Sequence, residues 1–121
     1  MSLHEDNFRD ALLAHAPLAA LVGDRVAVDE MMPGQRPFVI FTRSRTQTTR
    51  DLSGTVVDQR VAFAVQVWGD SRDQVSEVAD EVEAALAEAD QAWDGRASVF
   101  DDELDLEGET LEVDWWPDDP A

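Results

Sequence analysis

Between Val56 and Ala89 the spacing of apolar residues changes once, and the change separates a strand from a helix. Val61, Phe63, Val65 and Val67 fall on one side and Ala62, Ala64 and Gln66 on the other, a period of two that predicts a strand running to Trp68. After Gly69-Asp70-Ser71, the residues Val75, Val78, Ala79, Val82, Ala85, Leu86 and Ala89 recur at the i, i+3, i+4, i+7 spacing of a buried helical stripe. The opposite face carries Asp73, Glu77, Asp80, Glu81, Glu83 and Glu88 and belongs in water. Ser71 followed three residues later by Gln74 fits a capping box, in which each side chain satisfies a backbone N–H of the first turn.

Upstream, Phe8, Ala11, Leu12 and His15 share one helical face. Pro17 interrupts this pattern but suits the first turn of a short continuation over Leu18 to Val22, which Gly23 ends. A single histidine at the edge of an apolar face, His15 reads as structural rather than as a ligand. Val26 and Val28, the turn Pro33-Gly34-Gln35-Arg36-Pro37 and the run Phe38-Val39-Ile40-Phe41-Thr42 then predict a β-hairpin. Four apolar residues in succession predict that the second strand is covered on both faces, by the same subunit or by a neighbour.

From Arg43 to Thr55 the chain is polar, rich in Thr and Ser and without periodicity, which predicts a loop longer than a hairpin needs. Beyond the second helix, Asp90 to Arg96 reads as a connection anchored by Trp93, and Ala97 to Phe100 as the start of a late strand. Acidic and apolar residues then alternate. Leu104, Leu106, Leu111, Val113 and Trp115 read as one-face positions of two short strands around Glu107-Gly108-Glu109. Trp115 and Trp116 point to opposite faces of the last strand, so at least one needs a cover, and residues 117–121 form an acidic frayed tail.

Charge changes this picture more than length does. The 121 residues hold 27 acids and 9 bases, a net charge of −18, and every base is arginine. Such a chain repels nucleic acid, whose binding depends on cationic contacts with phosphate. The balance is uneven along the chain: residues 36–60 sum to +3, the first 35 to −4 and those from Val61 onward to −17. The arginines of the central segment either pair with acids of the same subunit or meet an acidic surface elsewhere, where a bidentate guanidinium is most useful. Absence of lysine together with excess aspartate has two sources, a GC-rich genome or adaptation to high salt, and the two can coexist.

Length suits one domain over 1–121 with a single core. No cysteine is present, which excludes thiol nucleophiles, disulfides and thiolate metal sites. No run of about 18 apolar residues spans a membrane, and the first residues lack the basic start of a signal peptide, so neither membrane insertion nor export by that route is expected. Glu103, Asp105, Glu107, Gly108 and Asp114 occupy EF-hand positions, but the first and last ligands are exchanged and no amphipathic helices flank them, so no metal is assigned. Two N-terminal histidines and the scattered serines Ser44, Ser53, Ser71 and Ser98 form no triad, and no glycine-rich phosphate loop occurs. Neither an enzyme nor a cofactor is expected.

Three local phrases carry a resemblance. Ala19-Ala20-Leu21-Val22-Gly23-Asp24-Arg25-Val26 after a helix, Pro37-Phe38-Val39-Ile40-Phe41, and Val65-Gln66-Val67-Trp68-Gly69-Asp70-Ser71 leading into a helix resemble the tail-completion, or tail-terminator, proteins of long-tailed phages and related tail-like particles. The elements read from the pattern run α-β-β-β-α-β-β. With them the resemblance implies an α+β fold, a mainly antiparallel sheet of about four to five strands with two principal helices packed on it. It also implies a structural virion protein forming a ring, usually hexameric, that caps the head-proximal end of the tail tube and stops its polymerisation. The implied partners are other copies of the chain, the tube protein and the head connector, with DNA passing through the ring and no specific nucleic-acid binding. The implied place is the head–tail junction of a virion assembled in the host cytoplasm.

The family pattern assigns no site residues. Subunit or tube contacts are therefore expected from residue chemistry, at Arg43, Arg45 and Arg50 of the polar segment and at Trp68, Trp115 and Trp116. An alternative from a different class is an acidic inhibitor or DNA mimic whose carboxylates imitate phosphates and occupy a nucleic-acid enzyme.

Overall fold

The computed structural model describes residues 3–29, 35–54, 56–103 and 105–115, with side chains at all of these except 3, 4, 45–49 and 56–60. The elements are α1 (Leu3–Leu13), α2 (Ala16–Val22), β1 (Val26–Val28), β2 (Phe38–Arg50), β3 (Val56–Gly69), α3 (Arg72–Glu88), β4 (Ala92–Asp101) and β5 (Leu106–Trp115). The strands form one sheet in the order β1-β2-β3-β5-β4. Every neighbouring pair is antiparallel except β1 and β2. The fold is therefore α+β, as the pattern and the resemblance imply.

All three helices supply side chains to a core on one face of the sheet. Val39, Phe41, Phe63, Val65, Val67, Leu111, Val113 and Trp115 point into it, against Phe8, Leu12, Leu18, Val22 and the predicted stripe of α3. Phe8 anchors α1: its ring stacks on Phe63 at 4.5 Å and meets Phe41 and Trp115 edge-on at 4.8 and 5.2 Å. Such ring pairs add to plain burial. The cap of α3 forms at Ser71, whose Oγ accepts the Gln74 N–H at 3.2 Å while Gln74 Oε1 accepts the Asp70 N–H at 2.8 Å. Pro17 sits in the first turn of α2, and Gly23, at φ +63°, ends it with its N–H on the Ala19 carbonyl.

A second, smaller cluster lies on the face that carries no helix. Phe38, Ile40, Trp68 and Leu106 are buried there beside Val99. The alternate residues Val39 and Phe41 point to the helices, so the run Phe38–Phe41 is covered on both faces within one subunit.

Four expectations are corrected. Val26–Val28 and Phe38–Arg50 do not make a hairpin: Val26 aligns with Val39 and Val28 with Phe41 in a parallel pair. The polar segment 43–55 is mostly not a loop, because β2 continues to Arg50, β3 begins at Val56, and the described turn is confined to 51–54. The residues of this segment are polar and carry no apolar alternation, so the period was silent. The stretch 90–96 is not a connection, since β4 starts at Ala92 and leaves Trp93 partly exposed. Finally, Glu107-Gly108-Glu109 lies inside the single strand β5. Leu106 consequently faces away from Leu111, Val113 and Trp115. Leu104, Trp116, the tail 117–121 and the turn residues Pro33 and Gly34 lie outside the described residues.

Candidate assembly surfaces

Positive charge is scarce in this chain, and most arginines with described side chains hold the subunit together. Arg9 donates to the Val26 and Asp24 carbonyls, and Arg25 to those of Pro37 and Leu21, fixing the chain as it passes from α2 into the sheet. Arg96 makes the densest network. A bulge at Gly95, which has φ +63°, separates Asp94, opposite Glu112, from Arg96, opposite Leu111. One inserted residue reverses the facing of everything after it, so Arg96 points toward α3. Its guanidinium grips Glu109 of β5 with Nε–Oε1 2.6 Å and Nη2–Oε2 3.1 Å. It also reaches Asp80 at 2.7 Å, Glu83 at 3.5 Å and the Ser76 carbonyl at 3.2 Å. The hydrogen bond to Glu109 raises the Arg96 pKa above its ordinary value, with Asp80 adding and burial opposing. One cation thus ties β4, β5 and α3.

His15, the N-terminal cap residue of α2, is buried with Nε2 2.7 Å from Glu81 Oε2 and Nδ1 2.9 Å from Glu88 Oε1. The Glu81 hydrogen bond, then Glu88, raise its pKa above 6.5 against the opposing effect of burial. A protonated His15 clamps α2 to the acidic face of α3. Its role is structural, as its place on the apolar stripe suggested.

The helix-free face of the sheet is different in character. Trp68 lies flat on Gly108, where an added Cβ would sit 2.7 and 2.8 Å from ring carbons, and its Nε1 donates to Gln66 at 3.2 Å. Beside this cluster runs a groove of about 470 Å³ lined by Ala64, Gln66, Asp94, Ala97, Thr110 and Glu112, among others. A second groove of about 410 Å³ adjoins it at Ser44, Ala62 and Asp114 and shares Asp94 and Glu112. Asp94 and Glu112 stand directly opposite one another across β4 and β5. Like charges so placed repel. Sequence reasoning missed this pair, and the one signal for it was Gly95 breaking the period between Trp93 and Val99.

The six expected contact residues are dispersed. Arg43 pairs with Glu5 of α1 in the same subunit, its Nε donating at 3.0 Å. Arg50 is exposed at the end of β2, with Nη1 donating to the Gly54 carbonyl at 3.1 Å. The side chain of Arg45 and all of Trp116 lie outside the described residues. Trp68 is buried in the helix-free cluster, and Trp115 in the main core against Phe8. Of the six, Arg50 is the described one most open to a partner.

The EF-hand positions do not converge, since Glu107 and Asp114 stand near opposite ends of β5, roughly 24 Å apart at about 3.4 Å per residue. Among the described residues no group of three His, Asp or Glu side chains is placed to hold a metal ion, and no helix is long and apolar enough to cross a membrane.

Residues 7–118 match the family model described as "Tail completion protein gp17". Solved structures share the fold, two of them over most of both chains. A chain of the virion of a native gene transfer agent particle superposes with a TM-score of 0.62 at 18% identity, covering 94% of this chain and 96% of that one. The gp17 protein of bacteriophage SPP1 superposes with a TM-score of 0.57 at 14% identity, covering 97% and 90%. No curated protein sequence matches significantly.

Proposed function

Since the chain belongs to the tail completion protein gp17 family, we propose that it is a tail terminator. Copies of it form a ring on the head-proximal end of a tail tube, end tube polymerisation and present a surface to the head connector. The observation that carries this reading is the family match over 7–118, nearly the whole chain. The family is a structural component of tailed particles and not an enzyme class.

The physics of the fold is consistent with the role. A closed ring needs two different patches on each subunit, joined head to tail. The projecting end of the β2–β3 hairpin and the grooved helix-free face are such a pair. A surface of net charge −18 also suits a passage through which DNA slides without sticking. The acidic-inhibitor alternative draws on that charge and on small size, and has no account of the arginine-bearing segment.

The test adds purified protein to polymerising tube subunits and measures tube length by electron microscopy. Tubes that shorten with increasing protein and carry it at one end support the reading. Tubes of unchanged length with no bound protein overturn it.

A further inference from the structure

Two surfaces are left unexplained by the packing of one subunit. The first is the outer part of the β2–β3 hairpin. β1 aligns with β2 only at Val39–Phe41, and β5 with β3 only from Val61 onward. Among the described residues, the two strands from Gln47 and Arg60 outward run with no third strand beside them. Such a two-stranded ribbon is marginal in water on its own. At its tip Leu52 is fully exposed, the extreme among large apolar side chains of the described residues, and Arg50 is exposed next to it. The hairpin belongs to the one segment of the chain with net positive charge, +3 over residues 36–60.

The second surface is the groove on the helix-free face. Its floor is small and apolar at Ala64 and Ala97, and its rim carries the opposed carboxylates of Asp94 and Glu112. Neither has an ion-pair partner among the described side chains. A cation placed between them would relieve their repulsion. Arg50 of the same subunit cannot supply it. Asp94, Glu112, Ala64 and Thr42 share one row across the sheet. Arg50 lies further along β2, roughly 25 Å away at about 3.4 Å per residue, on a ribbon that leads out of the sheet.

We infer that the β2–β3 arm of one copy docks across the helix-free face of the next, with Arg50 between Asp94 and Glu112 and Leu52 on Ala64 and Ala97. The inference rests on the ring reading above and names the contact that joins its subunits. Arm and groove are different patches, so the contact is head to tail and repeats around a ring. It brings positive charge to negative and covers the apolar tip.

The chain has no cysteine, which gives a clean test. Leu52 and Ala97 are both exposed, so the double variant Leu52→Cys/Ala97→Cys should fold, and the two positions are too far apart to join within one subunit. Under mild oxidation the double variant should give a ladder of disulfide-linked multimers on non-reducing gels. Mixing the two single variants should give linked dimers only. In parallel, light scattering should show Arg50→Glu weakening self-association roughly tenfold or more, with Glu112→Arg in the same chain restoring it. Oligomers of normal mass without a ladder would overturn the arm-and-groove contact while leaving the ring reading standing. A monomer without cross-links would overturn both.

Discussion

Replacing Arg96 by methionine tests whether one cation holds the acidic half of this fold together. Methionine keeps much of the side-chain volume but leaves Glu109, whose side chain is only 11% exposed, without its bidentate partner. Asp80 is 65% exposed, and its pair with Arg96 is worth below about 1 kcal/mol in water. The cost therefore falls on Glu109. Removing one partner of a buried pair costs about 3–5 kcal/mol. Arg96 keeps 24% of its surface in solvent, which places the expected loss near the low end, about 3 kcal/mol. For a chain of this size that lowers Tm by roughly 10–15 °C. Urea unfolding followed by tryptophan fluorescence measures it directly. The double variant Arg96→Met/Glu109→Gln removes the stranded charge and should recover at least about 1 kcal/mol of the loss. A cost below about 1 kcal/mol for Arg96→Met, or no recovery in the double variant, would refute the reasoning.

Three further outcomes follow from other parts of the structure. His15 has a folded pKa raised above 6.5 by Glu81 and then Glu88, so its stabilising contribution is complete below pH 6.5 and is lost as pH rises through the raised value. The urea midpoint should fall over that window in the native chain and stay flatter in His15→Gln; equal slopes would contradict the clamp. Gly108→Ala forces a Cβ to within 3 Å of the Trp68 ring and should cost about 1–3 kcal/mol with altered tryptophan emission, so a neutral variant would contradict that packing. If salt adaptation explains the absence of lysine, Tm should climb steeply toward molar KCl, and a flat response would leave genome composition as the cause.

How much was legible in the chain depended on whether burial imposed a period. The stripe of α3, its Ser71–Gln74 cap and the core face of β3 were all readable, because one face is buried and the other is wet. The helix-to-sheet passage at Pro17 and Gly23 was readable from backbone chemistry alone. Pairing direction was not: Val26–Val28 has the same alternation in a parallel pair as in a hairpin. The arm beyond Arg43 was invisible as strand because its polar, Thr- and Arg-rich sequence carries no apolar alternation. Downstream, the bulge at Gly95 reversed the facing of β4, which hid both the Arg96 network and the opposition of Asp94 to Glu112. Among the expected contact residues, Trp115 and Arg43 proved to be engaged within the subunit, whereas Arg50 stands where a partner can reach it.

The account joins these features through one requirement, that a strongly acidic subunit bring its few positive charges to its contacts. Arg96 does so inside the fold, and in the proposed ring Arg50 does so at its edge. The central claim is a place in an assembled particle, and the most direct measurement is the position of a gold-labelled tag on this chain in electron micrographs of intact tailed particles. The account predicts a single cluster of label at the junction of tail and head. Label distributed along the tube, or confined to the far tip, would contradict it.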